Sequence, residues 1–389
     1  MKLRYIILAL TLCNCSCGCH IEYDTSDQTI PIISWGGIPA NKADTLFAMA
    51  KECGFTTHLG LYGKQENAIA SLDAAERAGI GIIVNFPELR SSTEEAVASI
   101  KDHPALVAYH LKDEPEIEDF PWLKSLHESV SQIDSTHPCY INLLPNWYWG
   151  VDEYSENIER FASEFDLQFY SFDNYPIVEE NGVAVVRPDW YRNLEEFYAM
   201  ARSFGKPFWA FALTTPHSIT DPLPAVYPLP TIGHIRLQVF SNLLYGAQAI
   251  QYFNFLGLID PATCQKKDTY EIVDIVNSEI KAYSSVFAGS VVKGVWHTGE
   301  VIPSGTRRLE SYPHKKIQSL KVNGDGAVVS LIEKAGESYL AVQNRSCINP
   351  AILEVAFSGK VRLLTPQQEL RYDETPLELD PGELIIFRL

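Results

Sequence analysis

From Ile30 to Gly289 one pattern recurs: a short run rich in β-branched and aromatic residues, a polar loop, then an amphipathic helix ending near a glycine. The strand candidates are Pro31–Gly37, Thr56–Gly63, Gly81–Leu89, Ala105–Pro115, Cys139–Trp147, Leu167–Pro176, Lys206–Pro216 and Ala249–Gly257. Between them Lys42–Cys53, Glu66–Ala78, Glu94–Asp102, Trp190–Phe204 and Ile232–Leu244 carry apolar residues at spacings of three and four, the period of a helix with one buried stripe. Eight such units in roughly 260 residues match a (β/α)8 TIM barrel spanning 29–289. A doubly wound sheet is the alternative. The loop after the first strand, "SWGGIPANK", lacks the GxGxxG pattern that would hold a phosphate in such a sheet.

After Gly289 the helical period stops. "GAVVSLIEK", "SYLAVQNRS", "AILEVAFSG", "KVRLLTP" and "GELIIFRL" read as short strands separated by turns, which predicts a small all-β sandwich domain over 290–389. No low-complexity linker precedes it, so it is expected to pack rigidly on the barrel. With 389 residues, 46% of them hydrophobic, the chain can fill both cores.

The formal net charge of −18 argues against a nucleic-acid partner. The acid is spread over helix faces such as "DEYSENIERFASEFD", as on any solvated helix. Lys2 and Arg4 precede an apolar run, Tyr5–Leu12, too short to span a bilayer, and then Cys13, Cys15, Cys17 and Cys19 alternate with other residues. This start resembles a bacterial lipoprotein export signal, in which one cysteine is diacylated and becomes the mature N-terminus. Cys15 and Cys17 have the best small-residue surroundings, and plain secretion is the alternative. The resemblance implies a periplasmic, outer-membrane or cell-surface protein that touches a membrane only through lipid. Cys53, Cys139, Cys264 and Cys347 are widely spaced with no CxxC pair, and read as mostly buried thiols, with one disulfide compatible with export.

In a barrel of this kind the C-terminal ends of the strands carry the chemistry. Here they hold Trp35, His58, Asn85, Glu88, Asp113, Glu114, Asn142, Trp147, Asp173, Tyr175, His217 and Asn254, a mixture of carboxylates, amides and aromatic rings. That mixture suits a sugar: rings stack on its C–H faces, while amides and carboxylates hydrogen-bond its hydroxyls. Breaking a glycosidic bond needs a carboxylic acid held neutral to protonate the leaving oxygen. Glu114 is the candidate, with Asp113 beside it to raise its pKa by like-charge repulsion. Asp113 can equally be a cap for the helix that follows, and Asp173 the start of an Asx turn into Tyr175 and Pro176. Trp35, Trp147 and Tyr175 are the expected sugar platform, and His58, Asn85, Asn142 and Asn254 further substrate contacts. No cofactor or metal is expected: strand one has no His-x-His, and His58 and His110 read as core or hydrogen-bonded partners.

"KDEP" at strand four resembles the Asn-Glu-Pro signature of the large clan of retaining barrel glycosidases, in which the Glu is the acid/base. The resemblance covers about Trp35 to Gly257, and the trailing β domain is similar to those many such enzymes carry. Two departures stand out. Asp113 replaces the clan's Asn, and the nucleophilic Glu at the end of strand seven is missing from "KPFWAFALTTPHS". Three routes follow. The Asp113–Glu114 pair is similar to that of β-hexosaminidases, where the Asp orients a substrate 2-acetamido group that itself attacks. Asp173 can be the second carboxylate, and Glu88, in a loop expected to be salt-bridged to Arg90, is the third candidate. A non-catalytic, surface glycan-binding lipoprotein with a degenerate barrel is the competing class.

Overall fold

The computed structural model describes residues 29–220 and 224–389, so the export signal and its four cysteines lie outside the described residues. Eight parallel strands close a barrel: β1 (Ile32–Gly36), β2 (Thr57–Leu61), β3 (Gly81–Asn85), β4 (Leu106–Asp113), β5 (Cys139–Leu143), β6 (Tyr170–Phe172), β7 (Phe208–Leu213) and β8 (Ala249–Phe253). They stand in sequence order, and β8 returns to pair with β1 through Ile32 opposite Ile250 and Ser34 opposite Tyr252. Each falls within an expected run and is shorter than it, because the polar end of each run turns away to form the mouth.

Alternate residues of the strands serve two cores. Ile32, Ile82, Leu111 and Ile141 face the helices. Ile33, Leu59, Ile83, Ala108, Tyr140, Trp209 and Phe211 fill the barrel. Phe169 stacks on Trp209 at 3.6 Å toward the N-terminal ends of the strands and closes that side.

β4 breaks this alternation. Its register against β5 runs Tyr109 to Cys139 and His110 to Tyr140, then jumps to Lys112 opposite Ile141 and Asp113 opposite Asn142. The extra residue, Leu111, is a β-bulge. His110 points inward against Tyr140 and Trp35. Without the bulge Asp113, three residues on, would point outward; with it, Asp113 shares the inward side of Asn142.

Two hairpins escape the sequence pattern. Ile177–Glu180 pairs with Val183–Val186 after β6, and His217–Ile219 with Ala225–Tyr227 after β7. Both belong to the mouth. The cysteines Cys53, Cys139 and Cys347 are buried free thiols, and Cys264 is a half-buried one. Among the described residues no helix is long and apolar enough to cross a membrane.

The C-terminal region is a six-stranded antiparallel sheet over a three-stranded one. The five expected strands are present. Val291–His297, Ile317–Val322, Glu369–Arg371 and Leu377–Leu379 join them, each short or interrupted by polar residues that blur the two-residue period. Val329, Leu340, Val342, Leu353 and Phe387 pack between the sheets. The outer face of the six-stranded sheet continues the barrel's own core through Val295, Val328, Ile332 and Ile386. Buried Gln343 stitches the two, accepting from Ser241 Oγ at 2.7 Å and donating to the carbonyls of Arg236, Leu237 and Gly382. Gly233 lies at this seam, where a Cβ would sit 2.6 Å from the Cys347 carbonyl oxygen.

Candidate active site

Asp113, Glu114 and Asp173 converge at the C-terminal mouth. Asp113 closes β4, and Glu114 adopts a left-handed backbone with φ of 47°. That conformation disfavours any residue with a Cβ, and such positions collect at functional sites. The Glu114 amide is held by the Asn142 carbonyl at 2.9 Å. Its carboxyl group, open to solvent yet crowded by protein, hydrogen-bonds that of Asp173, just beyond the end of β6. Two carboxyls in contact need a proton between them.

The amide of Asn142 bridges the other two acids. Its Nδ2 donates to Asp113 Oδ1 at 3.3 Å and to Asp173 Oδ1 at 3.2 Å. Burial, then the charge of Glu114, pushes Asp113 up to about 7. Burial likewise raises Glu114, against the hydrogen bond from Asp173. Asp173 is held well above the usual carboxylate range, by burial first and by the charges of Glu114 and Asp113 next. Burial thus shifts all three acids toward their protonated forms, the direction an acid catalyst requires.

The capping alternative for Asp113 is not realised. The helical turn Ile117–Asp119 is capped by Glu116, which exchanges side-chain bonds with Asp119. Nor does Asp173 serve as a lone turn former, since its side chain meets Asn142, Glu114 and the Tyr175 hydroxyl.

The aromatic residues divide. Trp35 is nearly buried and packs against His110, Phe211 and Phe253, so it floors the mouth. Phe253 stacks on half-buried Tyr175 at 5.7 Å, and Tyr175 meets His217 and Tyr227 edge-on. Trp147 joins this group through Arg187, whose guanidinium lies over its ring at 4.7 Å and hydrogen-bonds Tyr227. Phe253, Tyr227 and Arg187 were missed by sequence reasoning. Phe253 could have been found as the neighbour of Asn254 at a strand end, whereas the hairpins carrying the other two leave no periodic signal.

Four further expectations change. His58 is fully buried, bonded to Ser34 Oγ at 2.8 Å and the Gly36 carbonyl at 2.9 Å, and packs against Phe47 and Phe255 outside the barrel. It offers nothing to a ligand, because Ser34 and His58 both point to the helices. Asn85 Nδ2 donates to the His110 carbonyl at 2.7 Å, and Asn254 Oδ1 accepts from Gly257 N at 3.0 Å, so one end of each amide serves the backbone. Glu88 opens the helix Glu88–Ser91. Arg90 does not bind it but donates to the Leu111 carbonyl at 2.8 Å. Among the described residues no three His, Cys, Asp or Glu side chains are arranged to hold a metal.

The fold with its β domain is similar to solved structures of glycoside hydrolases. One glycoside hydrolase aligns with a TM-score of 0.58 at 14% identity, covering 92% of each chain. A family 5 enzyme from Bacteroides vulgatus gives 0.59 at 13% identity, over 92% of this chain and 89% of that one. A family 39 enzyme from the gut symbiont Bacteroides cellulosilyticus gives 0.53 at 12%, over 93% and 81%. No protein-family model and no curated protein sequence matches the chain. At these identities the likeness establishes the architecture, a barrel with its β domain, and the chemistry has to be argued from the acids.

Proposed function

We propose that the protein is a glycoside hydrolase with Glu114 as general acid. The observation that carries this reading is the contact of Glu114 with Asp173 beside Asp113, three carboxyls shifted upward by burial in an aromatic-lined mouth. Glu114 is the member open to solvent and so the one a leaving oxygen can reach.

A two-carboxylate mechanism needs the acids about 5–5.5 Å apart for retention or about 6.5–9.5 Å for inversion. The hydrogen bond between Glu114 and Asp173 fits neither separation well. The contact therefore favours the route in which the substrate supplies its own nucleophile. The 2-acetamido oxygen attacks the anomeric carbon as Glu114 protonates the departing oxygen, and Asp113 in its carboxylate form, accessible near its value of about 7, receives the amide proton. Water then opens the cyclic intermediate, giving one proton back to Glu114 while the amide recovers its own from Asp113.

The second reading is a glycan-binding protein without turnover, favoured by the end of β7, where Leu213 and Thr214 stand in place of an acid. A hydrolysis screen over 2-acetamido and 2-hydroxy glycosides, run with wild type and Glu114→Gln, tests both. Glu114→Gln should lower turnover of substrates with poor leaving groups by about 10²–10⁴-fold and spare activated aryl glycosides. Equal rates in the two proteins, or binding without hydrolysis, would remove the catalytic reading.

A further inference from the structure

Beneath the acids a chain of buried polar side chains crosses the barrel from β8 to β5. The Tyr140 hydroxyl donates to Gln251 Oε1 at 2.9 Å, and Gln251 Nε2 donates to Ser171 Oγ at 2.8 Å. Ser171 Oγ in turn donates to Asn142 Oδ1 at 2.8 Å. All four residues are buried. Ser171 Oγ also lies 3.1 Å from the Tyr140 hydroxyl, and with the Tyr140 proton on Gln251 the single Ser171 proton goes to the shorter contact, Asn142 Oδ1 at 2.8 Å. Gln251 presents its nitrogen to Ser171, which leaves the Ser171 proton for Asn142 Oδ1 and turns Asn142 Nδ2 toward Asp113 and Asp173.

We propose that Ser171 and Gln251 are positioning residues for the acid cluster: they lock the Asn142 amide with its nitrogen toward Asp113 and Asp173, so that both acids receive a hydrogen bond from the barrel interior. Neither touches an acid directly. Were the amide free to turn, its carbonyl oxygen would face the two carboxyls and favour their protonated forms, adding to the effect of burial. The lock works against burial, and it holds the cluster where a proton can both leave and return. A barrel interior made only for packing has no need of this ordered series, and each member depends on the next: apolar residues at 171 and 251 would leave the buried Tyr140 hydroxyl and Asn142 Oδ1 without partners.

The inference rests on Asp113 and Asp173 being the working acids, but its test does not require turnover. The carboxyl groups of 13C-labelled Asp and Glu are titrated by NMR in wild type, Ser171→Ala and Gln251→Met. In both variants Asp113 should titrate higher, by about one pH unit, with Asp173 moving the same way. The wild-type side-chain amide resonance of Asn142 should follow the same titrations. A merely structural role would lower the melting temperature and leave the titrations in place. Unchanged titrations in folded variants overturn the proposal. If the variants do not fold, a wild-type Asn142 amide that ignores the titration of the acids overturns it as well. Absence of hydrolysis by the wild type in the screen above, with the titration shifts present, would instead remove the catalytic reading and keep the lock.

Discussion

Asp173 meets Glu114 carboxyl to carboxyl, and it comes from β6 rather than from β7, where the resembled clan has its nucleophile. The contact brings Asp173 into the acid cluster. Under substrate assistance, Asp113→Asn should be nearly as damaging as Glu114→Gln on 2-acetamido sugars, about 10²-fold or more, and Asp173→Asn should mainly weaken binding. If Asp173 is instead a nucleophile, Asp173→Asn should stop turnover of every substrate, and added azide should restore it with a glycosyl azide as product. Product analysis by mass spectrometry decides.

The raised acids also set a pH dependence of stability. Unfolded carboxyls titrate near 4, while Asp113 holds its proton to about 7 and Glu114 and Asp173 are raised too. The folded state then binds more protons, so the stability from Asp113 is complete below about 4 and lost as pH rises through about 7, with Glu114 and Asp173 acting in the same sense. Calorimetry should show the melting temperature falling from pH 5 to pH 8, and less steeply in Asp113→Asn. Carboxylates with lowered values, such as Asp134 bonded to Tyr109 and His137, act in the opposite sense only at lower pH.

Glu114 sits in backbone space that suits glycine. Glu114→Gly should be more stable than Glu114→Ala by about 1 kcal/mol, because both remove the carboxyl and only alanine retains the steric conflict. Chemical denaturation of the pair measures this. A stability order with alanine above glycine would mean that the left-handed conformation is not kept in solution.

Helix propensity alone predicts that Gly233→Ala in the helix Ile232–Leu244 stabilises. A methyl there would meet the Cys347 carbonyl and Pro381 at 2.6 and 2.7 Å. The substitution should therefore destabilise the whole chain, by about 1–3 kcal/mol, in a single unfolding transition. Two separate transitions would mean that the barrel and the β domain fold apart.

The barrel was legible because each strand is a short, nearly continuous apolar run, buried on both faces and followed by a helix stripe, as in "GIIVN" and "AIQYF". Asp113, Glu114 and Asp173 were legible for the same reason: they stand where strand runs end. The hairpins after β6 and β7 were not, since segments of three and four residues carry too few turns of any period. The role of Asn142 was hidden as well. As a residue at a strand end it suggested a sugar contact, whereas its place between two acids comes from the register of β4 on β5. His58 misled because it occupies a strand position of the outward phase, which only the closed barrel reveals.

That register has a consequence for how such chains are compared. Leu111 is one residue inserted between a half of β4 that answers to the core and a tip that answers to the site. A relative lacking that single residue could keep the letters "KDEP" in place and still turn its Asp toward the helices, leaving the mouth without the acid. Kinship of function in chains like this one is decided by counting from the inward-facing His110, and a matched tetrapeptide with the count wrong is a coincidence of spelling.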